Sequence, residues 1–311
     1  MAIRTHFQKG IGCAVLVLLL TSPSMAQIED QLTAYTGRNA TGYLQPLADA
    51  FGADLNDGLF HSAHITKSGL NFSLEFRVMA VIFSDDARTF DAITESGFSP
   101  EQTVEAPTVV GSGEAKIVDG DGGTHYAFPG GFDLNSFTIA APQLRIGSVY
   151  GTEALIRYFS INTGDVEIGN LSLFGFGMRH SISQHFGPEF PVDIAAGFFW
   201  QQFKLGENEK GDDLMSASAF SFGVQASKRY AVVLVPYTGL SVDTFSMEVN
   251  YESEATGASE DIHLEFETDT TLHWTIGLLF NYSVLNIFGE YNVASQNSFS
   301  FGAGFGFGFG M

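Results

Sequence analysis

The chain has a single cysteine, Cys13, and only 14 Lys and Arg against 35 Asp and Glu. One thiol excludes a disulfide framework and any multi-thiolate metal or iron–sulfur site. A formal net charge of −21 leaves too few cations to neutralise phosphates, so nucleic acid is excluded as a partner and docking on anionic headgroups is a poor reading. Long apolar runs are lacking too. Ile11 to Leu20 holds ten residues, about half of the roughly 20 that a spanning helix needs. The most apolar later stretch, Tyr230 to Val242, is broken by Pro236 and Gly239.

Catalytic patterns are equally thin. His61-Ser62-Ala63-His64 and His180-Ser181-Ile182-Ser183 place His and Ser side by side, the wrong parity for a strand face on which an imidazole takes a hydroxyl proton. Both read as polar turns. Asp119-Gly120-Asp121-Gly122-Gly123 begins like a calcium loop, but Gly130 stands where a bidentate Glu is required. No catalytic residue, metal or cofactor is therefore expected, and the chain reads as a non-enzyme.

What is abundant is Phe (30) and Gly (35). Arg4 and Lys9 precede the short apolar run, and Ser24-Met25-Ala26 puts small residues at −3 and −1, which marks residues 1–26 as an export signal with Gln27 as the mature N-terminus. Cys13 precedes most of the run, where a lipid-acceptor cysteine would follow it. Cleavage removes Arg4, Lys9 and no acid, so the charge moves from −21 to −23. A mature chain without thiols suits an oxidising compartment.

The rest of the chain alternates with period two. Leu70, Phe72, Leu74, Phe76, Val78, Ala80 and Ile82 share one face against Asn71, Ser73, Glu75 and Arg77. Ile262, Leu264 and Phe266, then Leu272, Trp274, Ile276, Leu278, Phe280 and Tyr282, share another parity. That stretch exceeds the 9–11 residues of a tilted spanning strand, so its first half is expected to project beyond the bilayer. At the C-terminus Phe299, Phe301, Ala303, Phe305, Phe307, Phe309 and Met311 face Gly302, Gly304, Gly306, Gly308 and Gly310. Such a face packs on a second sheet in a soluble, secreted sandwich, or meets lipid in a barrel whose lumen the glycines line. With the export signal, the pattern predicts an all-β, antiparallel transmembrane β-barrel of the cell outer membrane. Its last strand resembles the recognition signal of such barrels, although Met311 stands where Phe is usual.

Strands are read near 69–83, 142–150, 153–162, 167–180, 191–205, 213–227, 229–249, 260–282, 286–295 and 298–311. That gives ten, rising to 12 or 14 if Ser84 to Ala141, too long for a plain loop, adds one or two barrel hairpins. The division is export signal 1–26, N-terminal periplasmic or plug segment 27–67, and barrel 68–311. Within 27–67, Ile28, Leu32 and Tyr35 share a helical face, as do Leu44, Ala48, Phe51 and Leu55. This helical segment is expected on the periplasmic side, or entering the barrel as a plug.

Five strings in order carry a resemblance: Tyr43-Leu44-x-Pro46 with Leu55-Asn56-Asp57-Gly58, Ala106-Pro107-Thr108 with Gly111-Ser112, Gly151-Thr152-Glu153, Gly175-x-Gly177-x-x-His180, and Gly289-Glu290-Tyr291-Asn292-Val293. Together they resemble a bacterial outer-membrane barrel family known only as a domain of unknown function (6588), similar in outline to barrels of the long-chain fatty acid transporter type. The resemblance spans most of the mature chain and implies a barrel and its location. It brings no catalytic site, and substrate residues do not carry over, because this chain is shorter and is read with fewer strands.

Arg157, Arg179, Asp193 and Glu290 fall in strands at membrane depth, where a charge facing lipid is costly. They are expected to face the lumen and pair there, either constricting a pore or filling a narrow barrel. His263, Glu265, Glu267, Asp269 and His273 form a same-parity ladder at the outer rim, where like charges about 7 Å apart repel. The ladder either keeps the rim solvated or attracts divalent cations. Trp200, Tyr237, Trp274 and Tyr282 are candidates for the interfacial aromatic girdles, or for plain strand packing. The expected partners are outer-membrane lipids, the barrel assembly machinery through the C-terminal strand, and a small-molecule solute. Passive passage or uptake of small solutes, apolar ones included, is the leading function. A closed structural or partner-binding barrel is the alternative, to be distinguished by a lumen packed with side chains.

Overall fold

The computed structural model describes residues 31–32, 34–35, 37–95, 97–162, 170–187, 189–206, 213–230, 233–253 and 260–309. The expected export signal, residues 1–26, lies outside the described residues. Helix α1 (Gly37–Asn56) precedes β1 (Leu70–Ile82). Four short strands follow, β2 (Thr89–Ile93), β3 (Thr103–Pro107), β4 (Lys116–Asp119) and β5 (His125–Phe128). Then come β6 (Ser136–Val149), β7 (Thr152–Asn162), β8 (Asn170–Ser181), β9 (Asp193–Leu205), β10 (Met215–Ser227), β11 (Leu234–Ser253), β12 (Glu260–Tyr282), β13 (Leu285–Val293) and β14 (Ser298–Phe309). β1 and β6 to β14 form a closed ten-stranded antiparallel barrel, each strand beside its sequence neighbour and β1 sealed to β14 from Leu70↔Phe309 to Val81↔Ser298.

The alternation explains the closure. Leu74, Phe174, Trp200, Phe222, Leu278, Phe301 and Phe305 point outward and stay exposed, while Ser73, Glu75, Arg77 and Ser300 point inward and are buried. Leaving such side chains in water forgoes about 1.5–3 kcal/mol each. Dozens of them around one belt fit a lipid-facing wall and not a soluble sandwich. On β14 crowding requires the inward Gly302 and Gly304: a Cβ at Gly304 would fall 2.3 Å from the Leu74 carbonyl oxygen.

The segment between β1 and β6 adds no barrel strands. β2 pairs only with β3 and β4 only with β5, as two separate hairpins, and β6 begins at Ser136, earlier than the alternation suggested. This long connection lies at one end of the barrel. The other end carries the two-residue turns Tyr150-Gly151 and Ser283-Val284 and the connections 182–192 and 228–233, and, lying opposite the long connection, is the periplasmic end.

Two placements were expected for the helical segment, on the periplasmic side or inside the barrel as a plug. α1 sits in the outer mouth of the barrel, with Leu44, Ala48, Phe51 and Leu55 buried. Phe51 packs against Phe137 and Phe203, ring centroids 5.3 and 4.7 Å away, at the outer ends of β6 and β9. The Tyr43 hydroxyl donates to the Gly130 carbonyl at 3.0 Å and the Asn39 amide to the Ile93 carbonyl at 2.7 Å, so the hairpin segment covers the helix. In this cap burial holds the Tyr43 phenol above its usual range, which keeps it a neutral donor. The reason lies in the inward residues. In the outer half they include Phe203, Phe245, Met247 and Phe266, a match for an apolar helix face, while in the inner half buried polar and charged residues such as Ser73, Glu75, Arg77, Glu153 and Arg179 stand among Leu155, Phe199, Val235 and Phe288.

A correction concerns the long β12. Opposite Asp243 and Phe245 of β11 stand Thr271 and Thr268, so three residues of β12 span two of β11. This bulge reverses the parity. Leu264 and Phe266 face inward, whereas Leu272, Trp274, Ile276 and Leu278 face outward, and the apolar face read as continuous is two opposite faces.

Candidate functional site

Residues 57–66 leave α1 and run down the lumen to β1 as an irregular thread without a ladder. Gly58, at φ +64°, makes the bend at the end of the helix, a conformation that favours glycine. Backbone carbonyls buried in such a thread need donors, and side chains of the wall supply them. Arg157 donates to the Asp57 and Gly58 carbonyls at 3.2 and 3.1 Å. Arg77 also reaches Gly58, Arg179 reaches Ser62, Gln201 reaches Leu55 and Ser148 reaches Thr66. Gln143 donates to Leu59 at 3.1 Å. A guanidinium with five donors suits this task better than an ammonium. Each of the three arginines also lies over a ring: Arg77 at 4.5 Å from Phe288, Arg157 at 5.5 Å from Phe199 and Arg179 at 5.2 Å from Phe60.

Charge is divided along this axis. Toward the periplasm, Glu75 pairs with Arg77 at 2.6 Å and with His61 at 2.8 Å, and Glu153 with Arg179 at 2.5 Å. Farther out, acids predominate. His273 Nδ1 lies 2.6 Å from Asp243 and its Nε2 3.5 Å from Asp57. Glu290 accepts from the Gly58 N–H at 3.0 Å and the Tyr237 hydroxyl at 2.7 Å. Both oxygens of Asp54 and Oδ1 of Asp243 are buried without a hydrogen-bond partner among the described residues. The Ile139 backbone approaches the Asp54 carboxyl and offsets a small part of the cost of its burial.

Between the thread and the periplasm lies a cavity of about 650 Å³, with Asn71, Arg145, Glu153, Asn281, Asn286 and Gly306 in its walls. That volume falls in the range of small-molecule sites.

The residues singled out in the sequence fall into three groups. Arg157, Arg179 and Glu290 point into the lumen and hold the thread or its partners. Asp193 opens β9 at the periplasmic rim rather than at membrane depth, half exposed and 3.3 Å from His64. The ladder is broken: His263, Glu265 and Glu267 point outward to solvent, the side chain of Asp269 lies outside the described ones, and His273, beyond the bulge, is buried in the lumen. Tyr237 likewise points inward to Glu290 and belongs to no girdle, while Trp200, Trp274 and Tyr282 are exposed on the outer wall. Sequence reasoning missed Glu75, Arg77, Arg145, Asp57 and Asp243. For the first three the polar parity of the strands was a sufficient signal; nothing in the sequence places Asp57 against Asp243.

Fold and lumen together define an outer-membrane β-barrel occluded by its own N-terminal segment, set in lipid by its apolar belt and dependent on barrel assembly. The chain belongs to a family of unknown function, DUF6588, which matches residues 8–307. No curated protein matches it by sequence. Among solved structures it is similar to Ail, the attachment invasion locus protein of Yersinia pestis (11% identity, 77% of this chain and 99% of that one, TM-score 0.29). It is also similar to the translocator domain of autotransporter NalP from Neisseria meningitidis (13%, 87% and 100%, TM-score 0.34). A third is the P. putida toluene transporter TodX (11%, 86% and 71%, TM-score 0.30). At these values the likeness is one of barrel form and assigns no function.

Proposed function

We propose that the protein is a gated conduit for small solutes, closed at rest by residues 37–66 and opened when that segment moves. The observation that carries this reading is the nature of the fastening. The thread's backbone is held by hydrogen bonds from the wall, beside small apolar contacts of Leu59, Ala63 and Ile65, above a cavity of small-molecule size, and not by an unbroken apolar seal. Such hydrogen bonds can be exchanged for water, which a packed core cannot do. On this reading the chain is a passage and not a catalyst.

The outer end favours a second reading. There α1 is sealed under the hairpin segment by aromatic and aliphatic contacts, as in a closed structural or partner-binding barrel. The two readings part in a planar bilayer. A variant lacking residues 37–66, checked for heat-modifiable migration, is expected to show discrete conductance and to pass solutes in liposome swelling, where the intact protein is nearly silent. A folded, silent deletion variant would establish the structural reading instead.

A further inference from the structure

The outer-mid lumen holds more carboxyl groups than its cations can serve. Asp57 on the thread meets Asp243 on β11, His273 on β12, Glu290 on β13 and the Ser298 hydroxyl on β14, with Asp54 one helical turn back. The nearest permanent cations are Arg157 on β7 and Arg77 on β1. Arg157 spends its donors on carbonyls and on Gln143 and Gln201, and Arg77 on Gly58 and Glu75. The facing stretches of β6 and β9 offer the neutral Gln143 and Gln201, and β10 contains no titratable residue. Of the four carboxyls only Asp57 and Asp243 meet the imidazole, and neither guanidinium is within ion-pair distance of any of the four among the described residues.

The orphaned oxygens show which form the closed state takes. A carboxylate buried with both oxygens unpaired costs several kcal/mol, whereas a carboxylic acid avoids that cost. On α1, outside the spanning strands, burial and then the neighbouring Asp57 raise the Asp54 carboxyl above its ordinary range. Once the thread leaves the lumen, Asp54 and Asp57 meet water and ionise near the ordinary carboxyl value.

We propose that a proton held between Asp54 and Asp57 locks the plug in the lumen, and that its loss at alkaline pH releases the plug. The lock rests on the gated reading above, of which it is the regulation. The sign follows from proton counting: the closed state binds at least one proton more than the open state, so the open fraction rises with pH, by up to about tenfold per pH unit for each such proton.

The mature chain without cysteine makes the test direct. Thiol labelling of Leu59→Cys, buried in the thread, is divided by that of Tyr150→Cys, exposed at a periplasmic turn, which cancels the pH dependence of the thiol itself. Between pH 6 and 8.5 the ratio is expected to rise at least about tenfold. Asp54→Asn, which mimics the protonated acid, is expected to give a low and flat ratio. A flat ratio in the otherwise unmodified chain, or a full rise retained in Asp54→Asn, would overturn the lock. The first of these needs no acid variant to fold. Labelling reads release of the plug whether or not solute passes, so release without conductance removes the conduit and keeps the lock, and conductance with a flat ratio does the reverse.

Discussion

Replacing Arg157 by Met should open the barrel without unfolding it. The guanidinium is wholly buried and donates to two thread carbonyls, at 3.2 and 3.1 Å. Hydrogen bonds from a charged donor contribute about 1.5–3 kcal/mol each. Loss of two therefore weakens the closed state by about 3–6 kcal/mol, less whatever the thioether recovers by packing on Phe199. The barrel itself loses little, because its remaining Arg157 contacts are to two glutamine side chains. Taking about 3 kcal/mol as the net loss, the ratio of open to closed rises roughly 150-fold. Single-channel recording at constant pH reads this as open probability, and heat-modifiable migration reports on the barrel. Arg157→Lys, with one compact ammonium in place of a planar fork, should fall between the two. A folded Arg157→Met barrel as silent as the parent, with Leu59→Cys labelling unchanged, would refute the view that these bonds hold the gate.

Gly304→Val should impair closure of the barrel, since its Cβ would fall 2.3 Å from the Leu74 carbonyl oxygen, whereas Gly289→Ala, with nothing within 4 Å, should migrate like the parent on gels. Tyr237→Phe leaves a buried Glu290 oxygen without its 2.7 Å donor and should cost about 1–3 kcal/mol, read as a lower thermal midpoint in detergent. Both tryptophans of the chain, Trp200 and Trp274, are exposed on the outer wall, so brominated lipid should quench most of the fluorescence and aqueous iodide little. Quenching by iodide alone would contradict a lipid-facing belt.

The fold was largely legible because a barrel wall is a local pattern. Phe299 to Phe307 against Gly302 to Gly306 needs only period two and two environments, and strand number follows from counting such runs. The pattern failed where one residue more or less matters. The bulge at Thr268–Thr271 leaves no mark in the alternation, because Ile262 to Tyr282 keeps one apolar parity on both sides of it while the backbone turns over. His273 was thereby placed on the wrong side of the wall. The lumen was half legible. A charge in a spanning strand must point inward, which located Arg157, Arg179 and Glu290 without saying what they hold. Their partners lie 99 to 232 residues away in the chain, on a thread whose course no periodicity records.

The direct continuity between the thread and β1 bears on how the molecule is made. β1 is one lip of the seam that β14 closes, and the thread enters it from inside the ring. A helix carrying Phe51 and Tyr43 has no free path through a finished lumen crossed by three arginines. The N-terminal segment must therefore be laid within the curled sheet while the β1–β14 seam is still open, and sealing comes last. Assembly is then ordered by topology: a chain arrested before β14 docks should already hold its plug, and a chain that seals early would trap that segment on the wrong side of the membrane for good.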